Sequence, residues 1–290
     1  MFSGSIVAMV TPFKNGKIDF DTYKKLIELQ IENGTSGIVP CGTTGESPTL
    51  SHEEHKEVIE MTVKQVNKRI KIIAGTGSNN TIEAIQLTKF AKSVHSDAVL
   101  LVSPYYNRPT QKGLYEHFKT IADQIDIPII LYNIQSRTGV NIEPETIQKL
   151  TRECKNIAGV KEASGSLEQM SRIKFLCPKI DLISGDDALT LPLLSIGGSG
   201  VISVIANIIP RDVSNFVSYF LGDEIDKARE LHYKMLPLTK ALFLETNPIP
   251  VKTSMGLMKL CSPELRLPLT TMEDSNLNKL KKSLQDYGLL

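Results

Sequence analysis

Between residues 5 and 207 the chain repeats one alternation eight times. A short, nearly unbroken apolar run is followed by a longer stretch in which apolar positions recur every three or four residues. The short runs are SIVAMV (5–10), GIVPCG (37–42), KIIAGTG (71–77), AVLLVS (98–103), IPIILYN (127–133), IAGVKEAS (157–164), DLISGDD (181–187) and GVISVIAN (200–207). Runs that stay apolar through both phases of the strand repeat predict strands covered on both faces, as a parallel sheet requires. The longer stretches predict helices. Tyr23, Leu26, Ile27, Gln30 and Ile31 mark one buried stripe, interrupted by Gln30, and Val58, Ile59, Thr62, Val63 and Val66 mark another. SHEE (51–54) and NTIE (80–83) both have the form of a capping box, a cap residue with Glu three places on.

Eight strand–helix units within about the first 220 residues match an α/β fold of the (β/α)8 TIM-barrel type better than an open sheet. Residues 1–221 are therefore expected to form the barrel. Residues 222–290, with helical patterns in IDKARELHYKMLPLTKALFLE, PVKTSMGLMKL and DSNLNKLKKSLQDYGL, are expected to add a helical C-terminal extension. An open doubly wound sheet would carry a G-x-G-x-x-G turn after its first strand. GTGSNN (75–80) lacks the third glycine and follows the third strand, and GGSG (197–200) precedes a strand, so dinucleotide binding is disfavoured.

Composition narrows the function little further. A net charge of +1 over 290 residues, with acids and bases interspersed, disfavours a general nucleic-acid or anionic-membrane binder. Cys41, Cys154, Cys177 and Cys261 are far apart without a C-x-x-C pair, so neither a zinc site nor a disulfide framework is expected. The start, MFSGSIVAMVTPF, has no basic region and too short an apolar run for a leader or membrane segment, which points to a cytoplasmic protein.

In a barrel of this type the chemistry sits at the carboxyl ends of the strands. Those ends read CGTTGES, GTGSN, SPYYNRP, YNIQSRTG, KEASG, SGDD and GVISV, a concentration of small and polar residues. Among them Lys161 closes an apolar strand. Either its ammonium reaches solvent just past the strand end, or it is a buried amine suited to attack a carbonyl. Schiff-base chemistry needs a proton shuttle nearby, and Tyr132, Tyr106, Thr43 and Thr44 offer hydroxyls. Each of these also has an ordinary reading, the tyrosines as packing and the threonines as turn residues. Arg137 suits a substrate carboxylate, because its planar fork matches two oxygens, although a surface ion pair would use it equally well.

GTTGES (42–47), SPYYNRP (103–109), YNIQSRTG (132–139), GVKEASG (159–165) and SGDD (184–187), with GSIVAMVTPF (4–13) and NPIPVK (247–252), resemble the dihydrodipicolinate synthase family. The resemblance runs over essentially the whole chain. The wider superfamily of pyruvate-dependent Schiff-base aldolases and lyases, N-acetylneuraminate lyase among them, shares the barrel, the lysine and the tyrosine, and a sugar-acid lyase is the alternative. Thr43 in GTTGE, where that lyase tends to have serine, and Arg137 in SRTG favour the synthase.

The resemblance implies condensation of pyruvate with L-aspartate 4-semialdehyde, with no metal or organic cofactor. It implies Lys161 as the imine-forming residue and Thr43, Tyr132 and Tyr106 as the proton relay, Tyr106 reaching in from a neighbouring subunit. Thr44 would hold the pyruvate carboxylate and Arg137 that of the semialdehyde, while Gly185 and Ile202 line the pocket through their backbone. A homotetramer, a dimer of tight dimers, is implied as well. Ser47, Pro48, His52, His55, Asn79, Glu83 and Tyr105 match the family's inhibitory L-lysine cleft. Locally, Glu83 also reads as a helix-capping residue, and His52 with His55 as a solvated first turn. Gln135 stands where the family often has proline, which is expected to loosen the turn before Arg137 slightly, and Pro48 stands where alanine is common.

Overall fold

A computed structural model describes residues 2–290. Its principal strands are β1 (Gly4–Ala8), β2 (Gly37–Val39), β3 (Lys71–Gly75), β4 (Ala98–Val102), β5 (Ile129–Asn133), β6 (Ile157–Glu162), β7 (Asp181–Ser184) and β8 (Gly200–Ser203). They close into a barrel in the order β1-β8-β7-β6-β5-β4-β3-β2. All eight expected strands form, and the described pairs are parallel. The helices are α1 (Phe20–Glu32), α2 (His52–Val66), α3 (Thr81–Ser93), α4 (Gln111–Gln124), α5 (Gln135–Thr138) and α6 (Pro144–Glu153). They continue as α7 (Leu167–Leu176), α8 (Thr190–Ser195), α9 (Pro210–Leu221), α10 (Ile225–Ala241), α11 (Ile249–Leu257) and α12 (Asp274–Tyr287). No described helix is long and apolar enough to cross a membrane.

The strands are shorter than the apolar runs, for identifiable reasons. The run GVISVIAN leaves the sheet at Ser203, whose hydroxyl accepts the Ala206 amide (2.9 Å), and continues as a 3-10 turn over Ile205–Asn207. Asn207 then substitutes its side chain for a neighbouring strand. Its Nδ2 donates to the Ala8 carbonyl (2.8 Å) and its Oδ1 accepts the Val10 amide (3.2 Å), so the end of SIVAMV is satisfied outside the ladder. The run GIVPCG turns at Pro40 and at Cys41, whose φ is +54°.

Two compact units share the chain, one built on Lys71–Ile202 and the other on Gly4–Ile70 with Ser203–Leu290. In the second, Ile6 stands opposite Gly37 where β1 meets β2, and α1 packs on α2 with Tyr23 fully buried. Gln30, the polar break in the α1 stripe, is buried and fully used. It donates to the Ala206 carbonyl (2.8 Å) and accepts from Thr35 Oγ1 (2.7 Å). The SHEE box forms reciprocally between Ser51 and Glu54 at the start of α2. All four cysteines are free thiols.

In the first unit, β3 to β8 pair consecutively. Gly159 leaves room for β7 beside β6, since a Cβ there would lie 2.7 Å from the Asp181 carbonyl oxygen. The NTIE box forms only by half. Asn80 caps the Ile82 and Glu83 amides, but its own amide goes to Ser78 Oγ (3.0 Å), and the Glu83 carboxylate accepts from that same hydroxyl. Ser78 has taken the position between the two halves of the box.

His117 of α4 is buried, with Nδ1 bonded to Thr81 Oγ1 (2.9 Å) and Nε2 without a partner among the described residues. Burial pushes its pKa down to about 4. Its imidazole is neutral in the fold but takes up a proton near 6.5 when unfolded, so this contribution is complete above pH 6.5 and is lost as pH falls toward 4. Between pH 7 and about 4.5 the wild type should lose about 2 kcal/mol more stability than His117→Gln. Urea unfolding of the two proteins at several pH values measures this, and parallel curves would remove His117 from the acid response.

Candidate active site

Tyr132 and Lys161 are the penultimate residues of β5 and β6 and stand opposite each other in the register. A strand turns successive side chains to opposite faces, so this pairing sends both to the same side. Lys161 is 6% exposed and Tyr132 5%, and the lysine Nζ lies 4.1 Å from the centroid of the tyrosine ring. Lys161 is thus a buried amine rather than a solvated strand end. Among the described residues no carboxylate pairs with it.

Gly185 follows β7 and leaves the lysine its space. A Cβ there would sit 3.0 Å from Lys161 Cε and 2.7 Å from Ala163 Cβ. Ile202, in β8, is buried. Arg137 lies in the single helical turn α5, is exposed, and is backed by buried Thr138, whose hydroxyl donates to the Ile134 carbonyl (3.0 Å). Gln135 opens this turn without proline, and Gly139, at φ +74°, closes it through its amide on the Gln135 carbonyl (2.9 Å). Tyr106 is the centre of a three-residue turn in which the Asn107 amide donates to the Tyr105 carbonyl (2.9 Å). Its φ of +70° is strained for a tyrosine, and its side chain is 91% exposed.

Thr43 and Thr44 belong to the turn after β2. The Glu46 amide donates to the Thr43 carbonyl (3.1 Å) and the Ser47 amide to the Gly42 carbonyl (3.3 Å). Thr44 is buried, and its Oγ1 accepts from Asn247 Nδ2 (3.0 Å). Gly45 lets this turn pack closely, because a Cβ would meet the Met9 carbonyl oxygen at 3.0 Å and the Cys41 amide nitrogen at 3.2 Å.

The profile described as the dihydrodipicolinate synthetase family matches residues 1–287. The chain is 63% identical, over the whole of both sequences, to a curated protein of Endomicrobium trichonymphae named 4-hydroxy-tetrahydrodipicolinate synthase. The chain belongs to the dihydrodipicolinate synthetase family. The family member from Aquifex aeolicus, solved as a crystal structure, matches with a TM-score of 0.98 at 52% identity over 99% of both chains. A crystal structure of the Cyanidioschyzon merolae family member with lysine bound matches with a TM-score of 0.96 at 42% identity, over 100% of this chain and 99% of that one.

The residues matched to a lysine cleft fall in two groups in this synthetase-family chain. In the unit built on Lys71–Ile202, Asn79 Nδ2 donates to the Tyr105 carbonyl (3.1 Å), and Glu83 is tied to neighbouring Ser78. In the other unit, Ser47 and Pro48 form a 3-10 turn directly before α2, whose first turn carries His52 and His55. His55 is buried, so the expectation of a solvated histidine pair holds for His52 alone.

A buried ion pair in this family member was not foreseen from the sequence. Lys252 of α11 and Glu46 have completely buried side chains 2.6 Å apart. The Lys252 ammonium also donates to the Glu264 carbonyl (2.7 Å) and lies 4.1 Å from the Phe13 ring centroid. Glu46 is held at φ +55° and accepts the Arg266 amide (3.2 Å) on its other oxygen. Burial pushes the Lys252 pKa down, and Glu46 beside it offsets part of that. The signal was present, since GTTGE and NPIPVK both stand out as motifs, but nothing local joins residues 206 positions apart. Lys252→Met should cost about 3–5 kcal/mol, because it strands the Glu46 carboxylate in the core. Thermal unfolding checks this, and a midpoint within a degree of wild type would contradict it.

Proposed function

We propose that this chain condenses pyruvate with L-aspartate 4-semialdehyde to 4-hydroxy-tetrahydrodipicolinate, the committed step toward diaminopimelate and lysine, through an imine on Lys161. The observation that carries this reading is the desolvated amine of Lys161 against the Tyr132 ring, with Gly185 leaving the space beside its Cε. Imine formation needs a lysine amine presented to a carbonyl carbon and not held in an ion pair.

The amine adds to C2 of pyruvate, and loss of water leaves a protonated imine. That cation draws electrons from C3, which gives up a proton and becomes the enamine carbon. The enamine carbon bonds to the aldehyde carbon of the second substrate, whose oxygen takes a proton and becomes the hydroxyl. The substrate's own amino group then attacks the imine carbon, closing the ring and expelling the Lys161 amine. One water is released overall. The imine itself is the electron sink, so the chemistry calls for no added cofactor.

Tyr132, Thr43 and Tyr106 carry protons between these steps. Thr44 holds the carboxylate of pyruvate, Arg137 that of the semialdehyde, and the backbones of Gly185 and Ile202 line the pocket. Residues 1–221 serve as the catalytic barrel, with 222–290 as its helical extension. The strained, outward Tyr106 supports a role in a neighbouring copy's site, within a cytoplasmic homotetramer built as a dimer of dimers. Ser47, Pro48, His52, His55, Asn79, Glu83 and Tyr105 bind L-lysine as a feedback inhibitor, a reading supported by the lysine-bound relative.

Two measurements test these assignments. Pyruvate followed by borohydride should add a stable mass to the wild type and none to Lys161→Ala, read by intact-protein mass spectrometry. Labelling of neither protein, or of both equally, overturns the assignment of Lys161. Millimolar L-lysine should lower the rate at saturating substrates, and an unchanged rate refutes the inhibitory cleft.

A further inference from the structure

Behind Tyr132 and Lys161, the next residues along the same two strands meet each other. Asn133 and Glu162 are partners in the register, as Tyr132 and Lys161 are, and both are fully buried. The strand repeat of two places this second pair on the opposite face from the first. Asn133 Nδ2 donates to both Glu162 oxygens (3.3 and 3.1 Å). Two further donors complete the carboxylate's shell, Gln169 Nε2 of α7 (3.0 Å) and the Ser164 amide (2.6 Å).

Among the described residues, every group bonded to Glu162 through its carboxylate is a donor, and none is a cation. A carboxylate buried on amide donors alone is costly unless each bond is met, so the arrangement tolerates little displacement of either strand. Asn133 is held from its other end too. Its Oδ1 accepts the Ile142 amide (3.0 Å), and its Nδ2 also donates to Asn141 Oδ1 (2.8 Å). The main chain reinforces the same level, with the Ala163 amide on the Asn133 carbonyl (2.9 Å) and the Gly185 amide on the Glu162 carbonyl (2.8 Å).

We propose that Asn133 and Glu162 form a clamp that holds the Tyr132 ring and the Lys161 amine in reactive register, acting as positioning residues for imine formation. The inference rests on the assignment of Lys161 as the nucleophile. Both residues lie on the face opposite Tyr132 and Lys161. They act through the backbone of the adjacent position, where an error of about 1 Å in a reacting group costs about a hundredfold in rate.

The test follows the rate at which pyruvate and borohydride label the protein, normalised to the final labelled fraction, so that an unfolded subpopulation lowers the end point and not the rate. Glu162→Gln sets an amide against amides, and Asn133→Asp sets a carboxylate against a carboxylate. Each should label to the wild-type end point at least tenfold more slowly. The double exchange, Asn133→Asp with Glu162→Gln, restores one amide facing one carboxylate and should recover much of the rate. Should either buried variant fail to fold, Gln169→Ala, at a half-buried position, removes one donor and should also slow the rate at a full end point. Variants that label as fast as the wild type overturn the clamp, as does a double exchange no faster than the single variants. A wild type that takes no label instead overturns the imine reading itself, and with it the clamp's purpose.

Discussion

The ion pair between Glu46 and Lys252 carries a constraint that much of its unit answers to. An ammonium and a carboxylate with no solvent contact persist only when their mutual attraction is completed by further bonds. Here those bonds come from the Glu264 carbonyl, the Arg266 amide and the face of Phe13. Their positions tie the turn after β2, helix α11 and the 264–266 segment into one arrangement. Glu46 is two residues from Thr44, and Asn247, five residues before Lys252, bonds the Thr44 hydroxyl. The turn that presents the threonines is therefore anchored from both of its partners in sequence.

The chain buries a second lysine on different terms. Lys252 is paired and tied to three neighbours, whereas Lys161 has an aromatic face and the space beside Gly185. Among the described residues no carboxylate pairs with the Lys161 amine, whereas the Lys252 ammonium is committed to Glu46. The contrast distinguishes two buried lysines within a single fold, by their partners and not by their depth.

Much of the fold was legible in the sequence because each strand is a compact apolar run and each helix a periodic one. The eight strands and the SHEE box follow directly from local pattern. What pattern could not supply is how a run ends. SIVAMV and GVISVIAN leave the ladder early because Asn207 and Ser203 take over backbone groups, and periodicity does not register such side-chain substitutions. NTIE fails as a full box because Ser78, outside the motif, intervenes. Gln30 looked like a flaw in its stripe and is instead a buried polar group with partners on either side. At the site, Lys161, Tyr132 and Gly185 could be named from motifs at strand ends. The Glu46–Lys252 pair depends on long-range closure, to which no local signal reports.

The alternation along β5 and β6 has a consequence for how such a protein can change. Neighbouring positions on one strand answer to different demands, with 132 and 161 on one face and 133 and 162 on the other, where Glu162 meets α7. The two sides share a backbone, so a change on one is felt on the other. A barrel arranged in this way ties what its lineage can change on one face to what it must keep on the other, and the boundary between them runs between consecutive residues.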